Sequence, residues 1–240
     1  MKRVGRGHPL DREYWRRRWR EGRIGFHQEA IDPHLLRHLP GLADRVGAAH
    51  PPLRTLVPLC GKSRDLLWLG EEGHRVTGVE IAPEACALCA SEQQLSPLSP
   101  PAGAERAWRR DLPGGGRLDL LQGDILDLPT PSPDGEGDPG PGWDLIWDRA
   151  ALIALPARLR PRYAGHLWEC LRPGGAMLLV TAEDDSAERE GPPHSVPAGE
   201  VDRLYPEAER TELERYEQDR SDGDLTTFTI VVHSLIRPAR

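Results

Sequence analysis

The sequence predicts an α/β protein with a doubly wound, mostly parallel, seven-stranded sheet and an antiparallel hairpin at its C-terminal edge. Five short apolar segments alternate with helical segments, which is the pattern of parallel strands joined by crossover helices. The end of the chain instead holds two strand-like segments around the turn signal "SDGD". A length of 240 residues suits one α/β domain. We therefore expect a single domain over residues 1–240.

The first elements follow from capping and periodicity. A helix is predicted over residues 11–21, where Asp11 can cap it and Trp15 and Trp19 share one face. A buried strand follows at 54–60. The next helix covers 63–73, with Ser63 at its N-cap and a glycine at its C-terminal stop.

The remaining elements continue the alternation. A proline at the first helical position begins the helix predicted after strand two. The further predicted strands are 74–81, 118–126, 143–150 and 176–184, and the further helices are 83–95 and 157–171. Two Pro/Gly-rich stretches, 96–118 and 129–142, are predicted to be exposed loops or insertions.

Composition argues against several classes of protein. The formal net charge of −7 disfavours a general nucleic-acid binder, although residues 1–23 hold nine Arg or Lys against three Asp or Glu. No apolar run reaches the roughly 18 residues that a membrane span needs, and we expect no signal peptide. Four cysteines do not make a disulfide framework, so we expect a cytoplasmic protein. Cys86 and Cys89 lie on a predicted helix without two further ligands, so we expect no metal.

The tripeptide Gly61-Lys62-Ser63 has the ending of a phosphate-binding loop. Such a loop needs a glycine five residues before its Gly-Lys, and that position holds Leu56. Pro58 also removes one of the backbone donors that would surround a phosphate. The sequence therefore argues against nucleoside triphosphate binding.

The ends of the predicted strands point to a different ligand. Ligands of doubly wound sheets bind beyond the carboxyl ends of the strands, where Leu59 to Ser63, Glu80, Asp124 with Ile125, and Asp148 with Arg149 fall. Glu80 lies about 20 residues beyond Gly61, the spacing of an acidic side chain that accepts hydrogen bonds from ribose hydroxyls. A lone glycine does not suit a dinucleotide, whereas S-adenosylmethionine has an adenosine but no pyrophosphate.

Four segments resemble the thiopurine S-methyltransferase family. They are "YWRRRWREGRIGFHQ" (14–28), "LVPLCGKSRDLLWLGEEGHRVTGVEI" (56–81), "WDLIWDRAALIALP" (143–156) and "GPPHSVP" (191–197). The resemblance implies a class I methyltransferase of Rossmann-like fold. It also implies S-adenosylmethionine as donor, S-adenosylhomocysteine as product, and sulfur of a small-molecule aromatic or heterocyclic thiol as acceptor.

The resemblance also implies roles for individual residues. Trp15, Trp19, Phe26, Leu59, Gly61, Glu80, Asp124, Ile125 and Arg149 would surround the cofactor. Phe26 and Arg149 would also face the acceptor, where the guanidinium would stabilise a thiolate, so no general base is required for an acidic thiol. Residues 1–30 would form an aromatic and basic lid.

Some positions depart from the family pattern, and alternatives stay open. The second acceptor-side arginine would be Arg220, with Arg215 as the other option, and His194 and Ser195 stand where aromatic residues are usual. Ala150 replaces a common glycine. The alternatives are a halide or small-thiol methyltransferase, a nucleic-acid methyltransferase, and a cofactor-binding relative without thiopurine activity. Against the second, the chain has "WDRA" after strand four, where a base-methylating enzyme would carry an Asn-Pro-Pro-Tyr-like tetrapeptide. We expect a monomer that binds neither nucleic acid nor a membrane.

Overall fold

The computed structural model describes residues 12–47, 52–131, 142–184, 192–219 and 227–239. The α-helices in these ranges are α1 (Arg12–Arg20), α2 (Pro33–Arg45), α3 (Asp65–Glu71), α4 (Pro83–Glu92), α5 (Arg160–Cys170) and α6 (Ala198–Leu204). The strands are β1 (Arg54–Pro58), β2 (Arg75–Glu80), β3 (Ser96–Leu98), β4 (Arg106–Asp111), β5 (Arg117–Gln122), β6 (Trp143–Arg149), β7 (Leu171–Glu183), β8 (Glu209–Asp219) and β9 (Thr227–Ile236).

The described strands form one sheet in the order β3-β4-β5-β2-β1-β6-β7-β9-β8. The five central strands, from β5 to β7, pair in parallel. Strand β9 pairs antiparallel with β7 and with β8, so the predicted C-terminal hairpin forms. The chain first extends the sheet from β1 through β2 and later continues on the other side through β6. The predicted fold class is therefore confirmed, and strand order reverses between β1 and β6.

Helices cover both faces of the sheet because alternate side chains of the central strands point to opposite sides. Val57 and Trp147 belong to an apolar layer that includes buried residues of α2, α3 and α4. Leu56 and Ile146, their neighbours in the chain, belong to a second layer that includes residues of α5 and α6. With both faces covered, the carboxyl ends of the strands are left to bind ligands.

The predicted strand count and one predicted loop are wrong. The sheet has nine strands rather than seven, and the extra pair, β3 and β4, lies within the stretch 96–118 that was predicted to be a loop. Strand β4 pairs antiparallel with β5, and Arg109 donates to Asp119 across that pair at 2.5 Å. Only Ala107 of the six residues in β4 is buried, so the strand lacks an apolar pattern. Residues 132–141 of the other predicted loop lie outside the described ranges. The predicted "SDGD" turn, residues 221–224, also lies outside them.

Helix α2 was not predicted, although its start carries a recognisable signal. Asp32 is the N-cap and its Oδ1 accepts the His34 amide at 2.9 Å, while Pro33 takes the first helical position. The predicted N-cap of α3 is off by one residue, since Arg64 occupies that position. Ser63 still helps the turn, because its hydroxyl accepts the Asp65 amide at 3.1 Å.

The four cysteines are free and buried. Burial raises the pKa of Cys60 and that of Cys89, so these thiols stay protonated at neutral pH. Among the residues whose positions are described, no group of three or more His, Cys, Asp or Glu is placed to hold a metal ion. Within the same residues, no helix has both the length and the apolar character to cross a bilayer.

Strand β6 ends in a strained turn. Ala150 has a φ of 61°, in the left-handed region that a side chain with a Cβ disfavours. The next residue, Ala151, has an ordinary φ of −88° and is fully buried. The strain at Ala150 gives a physical reason why glycine would suit this position.

Ala150→Gly should stabilise the protein. Removing the Cβ relieves about 1 kcal/mol of left-handed strain, partly offset by the greater freedom of glycine in the unfolded chain. We expect a net gain of roughly 0.5 kcal/mol in the free energy of unfolding, measured by urea denaturation. The matched control, Ala151→Gly, should lose about 1 kcal/mol because it removes a buried methyl group at a normal φ. Equal destabilisation by both changes would contradict the strain.

Candidate active site

A cavity of about 590 Å³ opens at the carboxyl ends of β1, β2, β5 and β6. Its wall contains nine of the predicted site residues: Trp15, Trp19, Phe26, Leu59, Gly61, Glu80, Asp124, Ile125 and Arg149. These residues come from five separate parts of the chain, and the sheet topology brings them to one place. The predicted crevice at the strand-order reversal therefore exists.

Three predicted residues need separate comment. Arg220 lies outside the described residues. Arg215 is not in the cavity wall, since its guanidinium donates to Glu183 at 2.7 Å and to Glu212 at 2.8 Å on an exposed part of the sheet. Asp148 was predicted to line the crevice, and this was wrong: its side chain is fully buried, where it accepts from the Tyr163 hydroxyl at 2.8 Å. Burial raises the pKa of Asp148 to about 6.

The loop after β1 is shaped by backbone strain. Leu59 has a φ of 47° and Gly61 a φ of 55°. A Cβ on Gly61 would lie 3.0 Å from Cζ2 of Trp19, so glycine allows the indole to pack against the loop. The Gly61 amide donates to Glu80 at 3.0 Å, and Lys62 pairs with Glu92 at 2.8 Å. These groups are engaged with carboxylates of the protein, in agreement with the argument against a phosphate loop.

Glu80 is the acidic residue at the end of β2. Its Oε2 accepts the Gly61 amide at 3.0 Å and its Oε1 accepts the Ala82 amide at 2.7 Å. Burial raises the pKa of Glu80, while these amides favour its ionised form. A hydrogen bond from the Ile81 amide also favours the ionised form. A carboxylate has about four lone-pair sites, so Glu80 keeps capacity to accept a hydrogen bond from a ligand in the cavity.

Asp124 and Ile125 form the cavity wall beyond β5. The Asp124 side chain caps a short 3₁₀ turn (Ile125–Asp127) by accepting the Leu126 amide at 3.0 Å. This turn places Ile125 in the wall with only 4% of its surface exposed. A carboxylate beside an apolar side chain is suited to a flat, partly polar group.

Three aromatic rings form the side of the cavity nearest the N-terminus. Trp15 and Trp19 each meet Phe26 edge to face, with ring centroids 5.8 Å apart in both pairs. Helix α1, which carries the two tryptophans, is tied to α4 by Arg16 and Glu84 at 3.1 Å. The helix predicted from the tryptophan spacing therefore contributes directly to the cavity.

Arg149 reaches the cavity from the end of β6 and is held on two sides. Its Nε lies 3.3 Å from Oδ2 of Asp32, and one of its terminal amino groups donates to the Phe26 carbonyl at 2.6 Å. Asp32 is itself buried, and its amide donates to Asp65 at 2.9 Å. Two of the five guanidinium N–H groups are used in these contacts, so others can meet a ligand. Sequence reasoning missed Asp32, although "IDPHLL" carries the signature of a helix N-cap.

The cavity wall also includes residues of β7, β8 and β9, which we call the far wall: Thr181, Tyr216, Gln218, Phe228 and Ile230. Tyr216 pairs with Ile230, and Gln218 pairs with Phe228, across the β8–β9 hairpin. His34, at the start of α2, joins the far wall through a hydrogen bond of 2.9 Å to the Tyr216 hydroxyl. No sequence motif identifies these residues, because His34 and Tyr216 are 182 positions apart.

Solved structures share this fold. A 1,6-didemethyltoxoflavin-N1-methyltransferase from Burkholderia thailandensis, solved with S-adenosylhomocysteine, aligns with a TM-score of 0.60 at 19% identity, over 95% of this chain and 87% of its own. TehB from Haemophilus influenzae aligns with a TM-score of 0.58 at 15% identity, over 94% of this chain and 66% of its own. At these identities the likeness shows the fold alone.

Sequence relatives are more informative. Thiopurine S-methyltransferase from Pseudomonas fluorescens Pf0-1 is 41% identical over 216 residues, which is 90% of each chain. That from Nitrosospira multiformis is 38% identical over 204 residues, covering 85% of this chain and 84% of its own. The family model for thiopurine S-methyltransferase (TPMT) matches residues 10–233. The chain therefore belongs to the thiopurine S-methyltransferase family.

Proposed function

We propose that this S-adenosylmethionine-dependent methyltransferase transfers its methyl group to the sulfur of aromatic or heterocyclic thiols. The observation that carries the proposal is the position of Arg149, which is fixed in the cavity wall between Phe26 and the far wall. A cation held there can stabilise an anionic sulfur beside the aromatic ring of Phe26.

The cofactor is supported by the chemistry of the cavity. Glu80 lies in the cavity wall at the end of β2, where its carboxylate would accept hydrogen bonds from the hydroxyls of a ribose. The strained loop at Leu59 and Gly61 would hold the methionine end, and Asp124 with Ile125 would hold the adenine. Trp15, Trp19 and Phe26 would surround the sulfonium, whose positive charge suits aromatic faces. S-adenosylmethionine supplies an electrophilic methyl group when it is bound.

The acceptor side needs little acid–base chemistry for an acidic thiol. Arg149 would hold the thiolate and Phe26 would fix the plane of its ring, so the residues mainly align sulfur with the methyl group and keep water away. Because the chain resembles the family, we also propose that Arg220 is a second cation on the acceptor side. Residues 1–30, which include α1 and its tryptophans, would act as the lid over the site.

We further propose that the protein acts in the cytoplasm as a monomer on small molecules, without nucleic acid. The four free, buried thiols suit a reducing compartment. Three of the five arginines of α1 contact carboxylates: Arg12 contacts Glu105 at 2.6 Å, and Arg16 and Arg20 contact Glu84 at 3.1 and 3.3 Å. These contacts reduce the positive charge that α1 offers to a phosphate backbone.

Glu80→Gln should weaken cofactor binding. The amide keeps the size of the side chain but loses the charge and one acceptor, so we expect a loss of about 1–3 kcal/mol, which is roughly 5- to 150-fold in Kd. Calorimetric titration with S-adenosylhomocysteine measures this directly. Glu71→Gln, at an exposed position of α3, is the matched control and should bind as the unchanged protein does. Unchanged affinity in a folded Glu80→Gln variant would refute the ribose assignment.

Arg149→Ala should slow methyl transfer to a thiopurine by about 100-fold, because one preorganised cation beside the reacting sulfur is lost. Affinity for S-adenosylhomocysteine should change less than threefold, and Arg158→Ala, at an exposed position, should change neither quantity. Rates come from steady-state assays, affinities from calorimetry, and folding from thermal melts. Equal losses in transfer and in cofactor affinity would instead give Arg149 a structural role.

Methylation of iodide but of no thiol by the unaltered protein would favour a halide methyltransferase.

A further inference from the structure

A chain of hydrogen bonds leads from the cavity to the protein surface between α2 and β8. The Tyr216 hydroxyl lies 2.9 Å from Nε2 of His34, and Nδ1 of His34 lies 3.4 Å from Oε1 of Glu214. Glu214 is also held by His38 at 2.5 Å and Arg37 at 2.6 Å. Tyrosine, histidine and carboxylate thus stand in series, with the tyrosine in the cavity wall.

Charge fixes the direction of these hydrogen bonds. Burial raises the pKa of Glu214, but hydrogen bonds from His38, Arg37 and His34 outweigh it and lower that pKa to about 2. Glu214 is therefore ionised and acts as an acceptor at neutral pH. Nδ1 of His34 must then carry the proton that is donated to Glu214. In that neutral tautomer Nε2 accepts the Tyr216 hydroxyl proton, and the phenolic oxygen keeps lone pairs for a further hydrogen bond. Burial, with nearby Asp32 and Glu214, raises the pKa of Tyr216, so the phenol stays neutral.

The chain of hydrogen bonds begins in the part of the cavity where an acceptor would bind. Tyr216 and His34 line the same cavity as Arg149 and Phe26, and Arg149 is close enough to Tyr216 to influence its ionisation. About 38% of the Tyr216 surface is exposed, although it is hydrogen-bonded to a buried histidine. A phenol held in this way is accessible to a ligand at its oxygen.

We propose that Tyr216 and His34 form a proton-accepting pair that allows the enzyme to methylate un-ionised thiols, such as alkyl thiols, as well as acidic aromatic ones. The inference rests on the proposed function and extends its acceptor class. Acidic thiols arrive as thiolates and need only Arg149. Alkyl thiols are largely protonated at neutral pH and must lose a proton as the sulfur reacts.

The step balances in atoms and charge. A lone pair of the thiol sulfur forms the new bond to the methyl carbon, and the bonding pair of the old bond stays on the sulfonium sulfur, which becomes a neutral thioether. The S–H proton passes to the oxygen of Tyr216 as the phenolic proton passes to Nε2 of His34. The resulting imidazolium is stabilised by the carboxylate of Glu214. Release of that proton to solvent restores the pair.

If Tyr216 and His34 had a purely structural role, they would make the same contacts, but their variants would show different kinetics. Helix α2 is also joined to β8 at its other end, where Arg45 and Glu209 form an exposed ion pair at 2.7 Å. That contact ties the same two elements together and is made by residues outside the cavity wall. It therefore supplies a control for the loss of α2–β8 contacts alone. His34 contacts Glu214 and Tyr216 of β8, and the side chain of Asp32 accepts its amide. Arg37 and His38 bind the same Glu214, and Arg149 of β6 acts on the Tyr216 phenol.

The test compares Tyr216→Phe, His34→Gln and the control Arg45→Gln with two acceptors near neutral pH. One acceptor is an acidic aromatic thiol that is already ionised, and the other is an alkyl thiol that is mostly protonated. We expect kcat/KM for the alkyl thiol to fall about 100-fold in Tyr216→Phe and in His34→Gln but not in Arg45→Gln, and kcat/KM for the aromatic thiol to fall by less than about threefold. The loss should shrink above the pKa of the alkyl thiol. Calorimetry with S-adenosylhomocysteine and thermal melts should show intact binding and folding.

Several results would overturn the pair. Equal losses for both acceptors, or losses matched by Arg45→Gln, would show a structural role. No loss for the alkyl thiol, or an unaltered enzyme that methylates only the aromatic thiol, would show that the chain of hydrogen bonds takes no part. An unaltered enzyme that methylates neither thiol while binding S-adenosylhomocysteine would refute the proposed function itself, and this inference with it.

Discussion

One buried carboxylate, Asp32, joins parts of the cavity wall that are far apart in the sequence. It caps α2 through the His34 amide, pairs with Arg149 at the end of β6, and donates its own amide to Asp65 of α3. Asp65 in turn accepts from the indole of Trp147 at 2.9 Å, inside the apolar layer of the sheet. An unpaired arginine or carboxylate at this depth would be costly, so the contacts stabilise one another. The position of Arg149 therefore depends on where α2 begins.

The same helix start supports both kinds of acceptor chemistry proposed here. Through Asp32 it orients a fixed cation for thiolates, and through His34 it offers a proton acceptor to the tyrosine of the far wall. On the other side of the sheet reversal, Glu80 fixes the loop after β1 through the Gly61 amide. The loop proposed to bind the cofactor is thus organised by contacts between β1 and β2. The part of the cavity proposed to bind the acceptor is organised by contacts between distant parts of the chain.

This difference explains what the sequence could predict. Gly61 and Glu80 follow predicted strands, so their place in the cavity wall follows from spacing and strand order, whereas the place of Trp15 and Trp19 was implied only by the family resemblance. His34 and Tyr216 are invisible to such reasoning, because their contact depends on how the C-terminal hairpin docks beside α2. The missed strand β4 has a related cause: it sits near the sheet edge with one buried side chain, so propensity alone favours a loop. Ala150 could be recognised in the sequence as a departure from the family pattern. Its physical consequence, a strained backbone, follows only from its φ of 61° in the structure.

The most direct test of the central claim follows the methyl group itself. The purified protein is incubated with S-adenosylmethionine carrying a carbon-13 methyl group and with a thiopurine, and the product is examined by NMR and mass spectrometry. We predict a labelled methyl group on sulfur, with one S-adenosylhomocysteine formed for each methylated thiopurine. A label on a ring nitrogen, or no labelled product from a protein that binds S-adenosylhomocysteine, would contradict sulfur methylation at this site.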